Sequence, residues 1–218
     1  MGAAPSACPR PTLPPRQSPE GHIDIAVLAS GSGTNLQALI DAPSVRPHIV
    51  LVASDNPQAR ALERARHAGI PTSVIPWSAH RDRTSFSTAL ADVIEESGAK
   101  GVVLAGFMRI LGPSFVERFT DRVLNIHPSL LPAFPGAHAV EDAVRHGVTV
   151  TGLTIHFVDE EVDHGPIVAQ VPVQVEADDT PESLHERIQA EEHDLYPRVV
   201  EAFVQGRLTV EGRRVVWH

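Results

Sequence analysis

The sequence holds one cysteine, Cys8, and one lysine, Lys100. A lone thiol cannot form an internal disulfide, so a reducing, cytoplasmic location is expected. No apolar run approaches the ~18 residues that a membrane-spanning helix needs. A basic surplus is missing as well: 18 Lys and Arg stand against 27 Asp and Glu, a formal charge of −9. That balance argues against general nucleic-acid binding, which usually shows a basic surface. An anionic small substrate is compatible with it if local arginines or backbone amides offset the acidic field.

What is present is enough for one sizeable α/β domain, with 42% hydrophobic residues in a chain of 218. Residues 1–21 carry six of the 19 prolines and almost no large apolar side chains, so they read as a disordered tail without a secretory h-region. Residues 22–218 read as one folded domain. From Ile23 onward, apolar runs such as "IDIAVLAS", "IVLVASD", "GVVLAG" and "VLNIHPS" alternate with helical stretches such as "TNLQALIDA" and "RTSFSTALADVIEESG". Near-continuous apolar strands joined by helices imply a mostly parallel sheet covered on both faces. A helix "HAVEDAVRHG", two longer strands "TVTGLTIHFV" and "PIVAQVPVQV", and a helix over about 180–205 follow. The end, "RLTVEGRRVVWH", is expected as a hairpin turning at Glu211-Gly212.

Three stretches carry chemistry. In "VLASGSGTNLQAL" a strand, a Gly-rich turn and a helix start form a cradle of backbone N–H groups at the positive end of a helix dipole, suited to a phosphate. Gly31 and Gly33 allow the tight turn, and Thr34 and Asn35 can cap the helix or donate to an oxyanion. Leu36 stands where a dinucleotide fingerprint needs its third glycine, and no P-loop lysine follows, so a phosphate monoester fits better than a nucleotide. In "VLNIHPSLLPAFPG", Asn125 and His127 are two residues apart and share one side of a strand. An amide and an imidazolium aimed at one point can stabilise an oxyanion, and the histidine can also move a proton. Pro128, Pro132 and Pro135 make the following segment stiff. In "TIHFVDEEVDHGPI", a strand bearing His156 leads to Asp159, Glu160, Glu161 and Asp163. A carboxylate held beside His127 would raise its pKa and accept a proton. Spacing alone does not say which of the four it is. The helix "HERIQAEEH" lacks the second histidine of a zinc-protease motif, which would stand at Gln189, and the 12 histidines are scattered without ligand spacing, so no metal is expected.

Together "IAVLASGSGTNLQALI", "LAGFMRILGPSF", "NIHPSLLPAFPGAH", "HFVDEEVDHGPIVAQ" and "EEHDLYP" resemble the glycinamide ribonucleotide formyltransferase family over about residues 23–210. The resemblance implies a Rossmann-like formyltransferase fold and transfer of a formyl group from 10-formyltetrahydrofolate to the amine of 5-phosphoribosylglycinamide in purine biosynthesis. It implies catalytic roles for Asn125, His127 and Asp163, with Asp163 keeping His127 charged. It also implies ribonucleotide contacts at Gly33, Thr34, Asn35 and Glu192, and folate contacts at Arg83, Met108, Arg109, Ile110, Leu111 and Asn125. Expected partners are small molecules only, with no nucleic acid, membrane or metal, in a monomer or homodimer. Two related enzymes are disfavoured. Methionyl-tRNA formyltransferase carries a further C-terminal domain, and this chain ends soon after the core. Formyltetrahydrofolate hydrolase carries an N-terminal regulatory domain, for which 21 residues leave no room. His164 departs from the small residue usual beside the catalytic aspartate.

Overall fold

The computed structural model describes residues 21–218, so the segment expected as a tail lies, except for Gly21, outside the described residues. Nine strands form one sheet in the order β3-β2-β1-β4-β5-β6-β7-β9-β8. These are β1 (Ile25–Leu28), β2 (Ile49–Ser54), β3 (Thr72–Val74), β4 (Gly101–Leu104), β5 (Val123–His127), β6 (Val150–Phe157), β7 (Ile167–Gln174), β8 (Leu208–Glu211) and β9 (Arg214–Trp217). The half from β3 to β5 is parallel throughout. Its strands are apolar on both faces because helices cover both. Ile25 and Val27 of β1 join the core under α1 (Thr34–Asp41), α2 (Arg60–His67), α5 (Ala139–His146) and α6 (Pro181–Val204). Ala26 and Leu28 join the opposite core with Phe86, Leu90 and Phe115 of α3 (Arg83–Glu96) and α4 (Pro113–Arg118). That is the two-residue period of a strand read directly in burial.

The fold is the expected α/β class with a mostly parallel sheet, and the half from β3 to β5 is wholly so. Beyond it the ladders β5–β6 and β6–β7 are antiparallel. The connection 158–166 between β6 and β7 is shorter than the dozen or so residues a parallel crossover requires. The terminal hairpin also differs in register. Glu211 pairs with Arg214, so the two-residue turn is Gly212-Arg213 and not Glu211-Gly212. Glycine takes the first turn position with φ 62°, a conformation unfavourable for other residues. β9 pairs in parallel with β7 through Ile167 and Arg214, which sets this turn beside the 158–166 loop. No helix among the described residues is long and apolar enough to cross a membrane.

The loops after β1, β4 and β5 meet at the carboxyl ends of the parallel strands, where open α/β sheets gather their ligand groups. α6 crosses beside them, anchored by fully buried Tyr196, whose hydroxyl donates to the Leu104 carbonyl at 2.8 Å.

Candidate active site

Asn125 and His127 project from the end of β5 into one cleft of about 670 Å3, within the usual size of a small-molecule site. Asn125 lies opposite His156 of β6 in the ladder, and its Nδ2 is 3.1 Å from His156 Nε2. The other nitrogen of His156, Nδ1, is 2.8 Å from the Phe157 carbonyl. A carbonyl only accepts, so Nδ1 is the donor there, and in that tautomer Nε2 accepts from the Asn125 amide. His156 thereby orients Asn125 and leaves its second N–H for a ligand.

The stiff segment after His127 turns back on it. Ser129, fully buried, donates to the Ala133 carbonyl at 2.5 Å, the Leu131–Pro132 peptide is cis, and Phe134 takes φ 51°. The return brings the Phe134 carbonyl within 2.8 Å of His127 Nε2. Two residues later the Gly136 N–H donates to Asp163 Oδ2 at 2.7 Å. The same carboxylate oxygen stands 3.4 Å from His127 Nδ1. Of the four acidic residues in the loop, Asp163 is therefore the one beside His127. Glu160 and Glu161 are exposed, and Asp159 pairs with His164 at 2.7 Å.

Two forces compete over the charge on His127. Burial lowers its pKa below the ordinary 6.5, and the Asp163 charge and Phe134 carbonyl recover only part of the loss, while His156 adds to it. Asp163 thus favours the charged ring, but in this conformation its effect is smaller than that of burial. Burial acts on Asp163 too and would raise its pKa. The His156 ring, the Gly136 N–H and His127 together hold it below the ordinary carboxylate value. Of these the Gly136 contact is the hydrogen bond; the His156 nitrogen, 3.7 Å away, is too distant for one. Asp163 is a carboxylate at neutral pH.

The Gly-rich loop forms a separate cluster. Gly33 is the N-cap of α1 with φ 70°. A Cβ there would meet Ala61 Cα at 2.7 Å, so backbone conformation and packing both demand glycine. Neither Thr34 nor Asn35 caps the helix. Thr34 lies inside it and accepts from Gln189 at 3.0 Å, and Asn35 reaches across to Glu192 Oε2 at 2.8 Å. Arg64 braces the loop from behind, donating to the Ser32 carbonyl at 2.9 Å. Glu192 is buried, which raises its pKa against the opposing effects of Asn35 and His185.

The opposite wall of the cleft is the loop after β4. Met108 and Ile110 are exposed at its mouth while Leu111 is buried, and exposed apolar side chains in a cleft are what a flat, partly apolar ligand would cover. Arg109 donates to buried Asp55 at 2.7 Å and lies over the Trp77 ring at 5.1 Å. Asp55 also accepts from Ser30 at 2.6 Å, and the Ser30 hydroxyl accepts from the Met108 N–H at 2.9 Å. The β1 and β4 loops are therefore tied together. Arg83 opens α3 and is exposed, and it is not among the residues lining the cleft.

Comparison with known proteins decides the family. The model described as "Formyl transferase" matches residues 23–200. The chain belongs to the formyl transferase family. It is 43% identical to a phosphoribosylglycinamide formyltransferase of Escherichia coli (strain K12), covering 85% of this chain and 89% of that protein. It is 46% identical to the trifunctional purine biosynthetic protein adenosine-3 of Bos taurus over 88% of this chain, but spans only 20% of that much longer protein. Among solved structures, glycinamide ribonucleotide transformylase 1 from Symbiobacterium toebii superposes with a TM-score of 0.88 at 46% identity, covering 91% of this chain and 95% of that one.

In this formyl transferase, Asn125, His127 and Asp163 meet at one wall of the cleft, and Met108, Arg109, Ile110 and Leu111 form the facing wall. Gly33, Thr34, Asn35 and Glu192 form their own cluster outside the cleft lining. Sequence reasoning named His156 without a role and missed the Phe134 carbonyl, the Gly136 N–H and Asp55. Backbone partners carry no residue-type signal. Thr154 and His156 stand opposite His127 and Asn125 in the ladder, so strand period puts all four side chains on one face of the sheet.

Proposed function

We propose that the protein transfers the formyl group of 10-formyltetrahydrofolate to the amine of 5-phosphoribosylglycinamide, a step of purine synthesis in the cytoplasm. The reading is carried by the convergence of Asn125, His127 and Asp163 in one cleft, in a family whose relatives bear this activity in their names. The backbone amides at Gly33 and Thr34 suit the phosphate of the ribonucleotide. Asn35 and Glu192 suit its ribose, because a carboxyl group accepts from hydroxyls and the amide can both donate and accept. Met108, Ile110 and Leu111 offer apolar contact to the folate ring system, with Arg109 and Arg83 as cations for its carboxylates. Both substrates are small molecules, and no step requires a metal, a nucleic acid or a membrane. The protein would work as a monomer or homodimer.

In the reaction the glycinamide nitrogen attacks the formyl carbon directly, and the carbonyl oxygen becomes an oxyanion. The free N–H of Asn125 stabilises it. Both nitrogens of His127 have acceptors within the protein, so an oxyanion gains its N–H only by displacing one. The 3.4 Å contact to Asp163 is the looser, and catalytic contacts of this kind commonly rearrange when substrate binds. The developing negative charge favours the imidazolium that burial disfavours. Asp163, already ionised, accepts the amine proton directly or through water. The oxyanion then collapses, the bond from the formyl carbon to the folate nitrogen breaks, and that nitrogen leaves with the proton returned from Asp163 through water.

The test is folate turnover with and without 5-phosphoribosylglycinamide. Tetrahydrofolate should form only with the amine present, mole for mole with formylated product. Steady turnover without the amine would make the protein a hydrolase and sink the reading.

A further inference from the structure

His164 and the terminal hairpin remain outside this chemistry, yet they touch the loop that carries Asp163. Arg213, on the β8–β9 turn, donates through Nη2 to the His164 carbonyl at 2.7 Å. Its Nη1 lies 3.3 Å from both ring nitrogens of His164 and 4.0 Å from Asp159 Oδ2. His164 Nδ1 faces Asp159 Oδ2 at 2.7 Å, and Asp159 Oδ1 accepts from the Glu161 N–H at 3.1 Å. One guanidinium thus grips the backbone of the residue next to Asp163 and the side-chain pair that folds the loop. The far end of the loop is pressed against β6, because a Cβ at Gly165 would fall 1.8 Å from the Phe157 carbonyl. Between these anchors Asp163 is held at φ 52°, a backbone state uncommon for residues other than glycine.

We propose that Arg213 is a positioning residue for Asp163, with His164 and Asp159 as the parts it grips. The proposal rests on the reading of Asp163 as a catalytic carboxylate. The contacts are half-exposed, so as ion pairs they add little stability. Their effect is geometric, fixing where the carboxylate stands relative to His127, and misplacement by about an ångström can cost up to a hundredfold in rate. The hairpin can do this because β9 joins β7, the strand into which the loop runs.

The experiment uses the full chain and the variants Arg213→Ala, Arg213→Lys and Arg214→Ala, measuring turnover and, by NMR, the titration of His127. The titratable groups facing His127 are Asp163 and His156. In Arg213→Ala, kcat should fall by about fivefold or more with the ribonucleotide KM within about twofold, on the scale expected for lost positioning. The His127 titration should move down as Asp163 drifts away, and the thermal midpoint should stay near the parent's. Arg213→Lys should recover part of both effects, since an ammonium can still donate to the His164 carbonyl. Arg214→Ala, one residue along on β9, should change neither. Unchanged His127 titration in Arg213→Ala, or a loss of turnover without it, overturns the proposal. The NMR arm does not depend on formyl transfer, so a protein with no transferase activity would sink the functional reading while the grip on Asp163 was still decided.

Discussion

Asn125 and His127 were legible as a pair because strand period alone puts them on one face. Their electrostatics were not. Whether His127 is charged depends on how far burial outweighs one carboxylate, and burial is set by the turn 128–136 folding over it. The two effects can be separated. Asp163→Asn removes the group that opposes desolvation, so the His127 pKa, already below 6.5, is expected to fall further and activity to drop sharply. Glu160→Gln and Glu161→Gln, both exposed, are expected to leave it in place. An NMR titration of labelled His127 checks this, with apparent values reported for the coupled pair. A shift on replacing Glu160 or Glu161 and none on replacing Asp163 would show the wrong carboxylate had been chosen.

Among the elements, apolar runs and helical spacing located the strands and helices to within a few residues, because the inner strands β1, β2, β4 and β5 are buried on both faces. Strand direction past β5 was not legible, since β6 is as buried as its parallel neighbours and the segment 128–149 before it, which contains α5, is long enough for a crossover; only the half-exposed alternation of β7 and the short 158–166 loop point to antiparallel pairing. The hairpin register failed for a related reason: Glu211-Gly212 and Gly212-Arg213 both place a glycine in the turn. The Gly-rich loop was read correctly as a tight turn, but its capping was not, because Asn35 finds a better partner on α6, far away in sequence. Gly33 is where that element can be broken cleanly. Gly33→Ala forces a side chain into a left-handed conformation and against Ala61, at a cost of about 1–3 kcal/mol. The ribonucleotide KM is expected to rise with folate binding nearly intact. Loss of folate with the ribonucleotide retained would put the loop in the other pocket.

Across the whole molecule, the buried titratable groups give stability a pH dependence whose sign follows from their shifts. His127 and Asp163 both have lowered pKa values in the fold. The unfolded chain therefore binds more protons, and their contribution is present above the ordinary values of 6.5 and 3.8 and is lost as pH falls through the folded ones. Glu192 is raised, so its contribution runs the other way and is lost as pH climbs from 4.5 toward its folded value. Calorimetry from pH 7 to 5 is expected to show a smaller decline in thermal midpoint for His127→Gln than for the parent, and a steeper one for Glu192→Gln. Equal slopes in all three would mean that these groups titrate as they do in the unfolded chain.

The central claim is that the cluster at the end of β5 performs formyl transfer, and its most direct test is kcat with both substrates saturating. Asn125→Ala and His127→Ala should each lower kcat by roughly a hundredfold or more, the scale of a lost oxyanion donor, with much smaller changes in either KM. Near-parental kcat in either variant would contradict the role assigned to that residue, and in both it would move the chemistry away from β5.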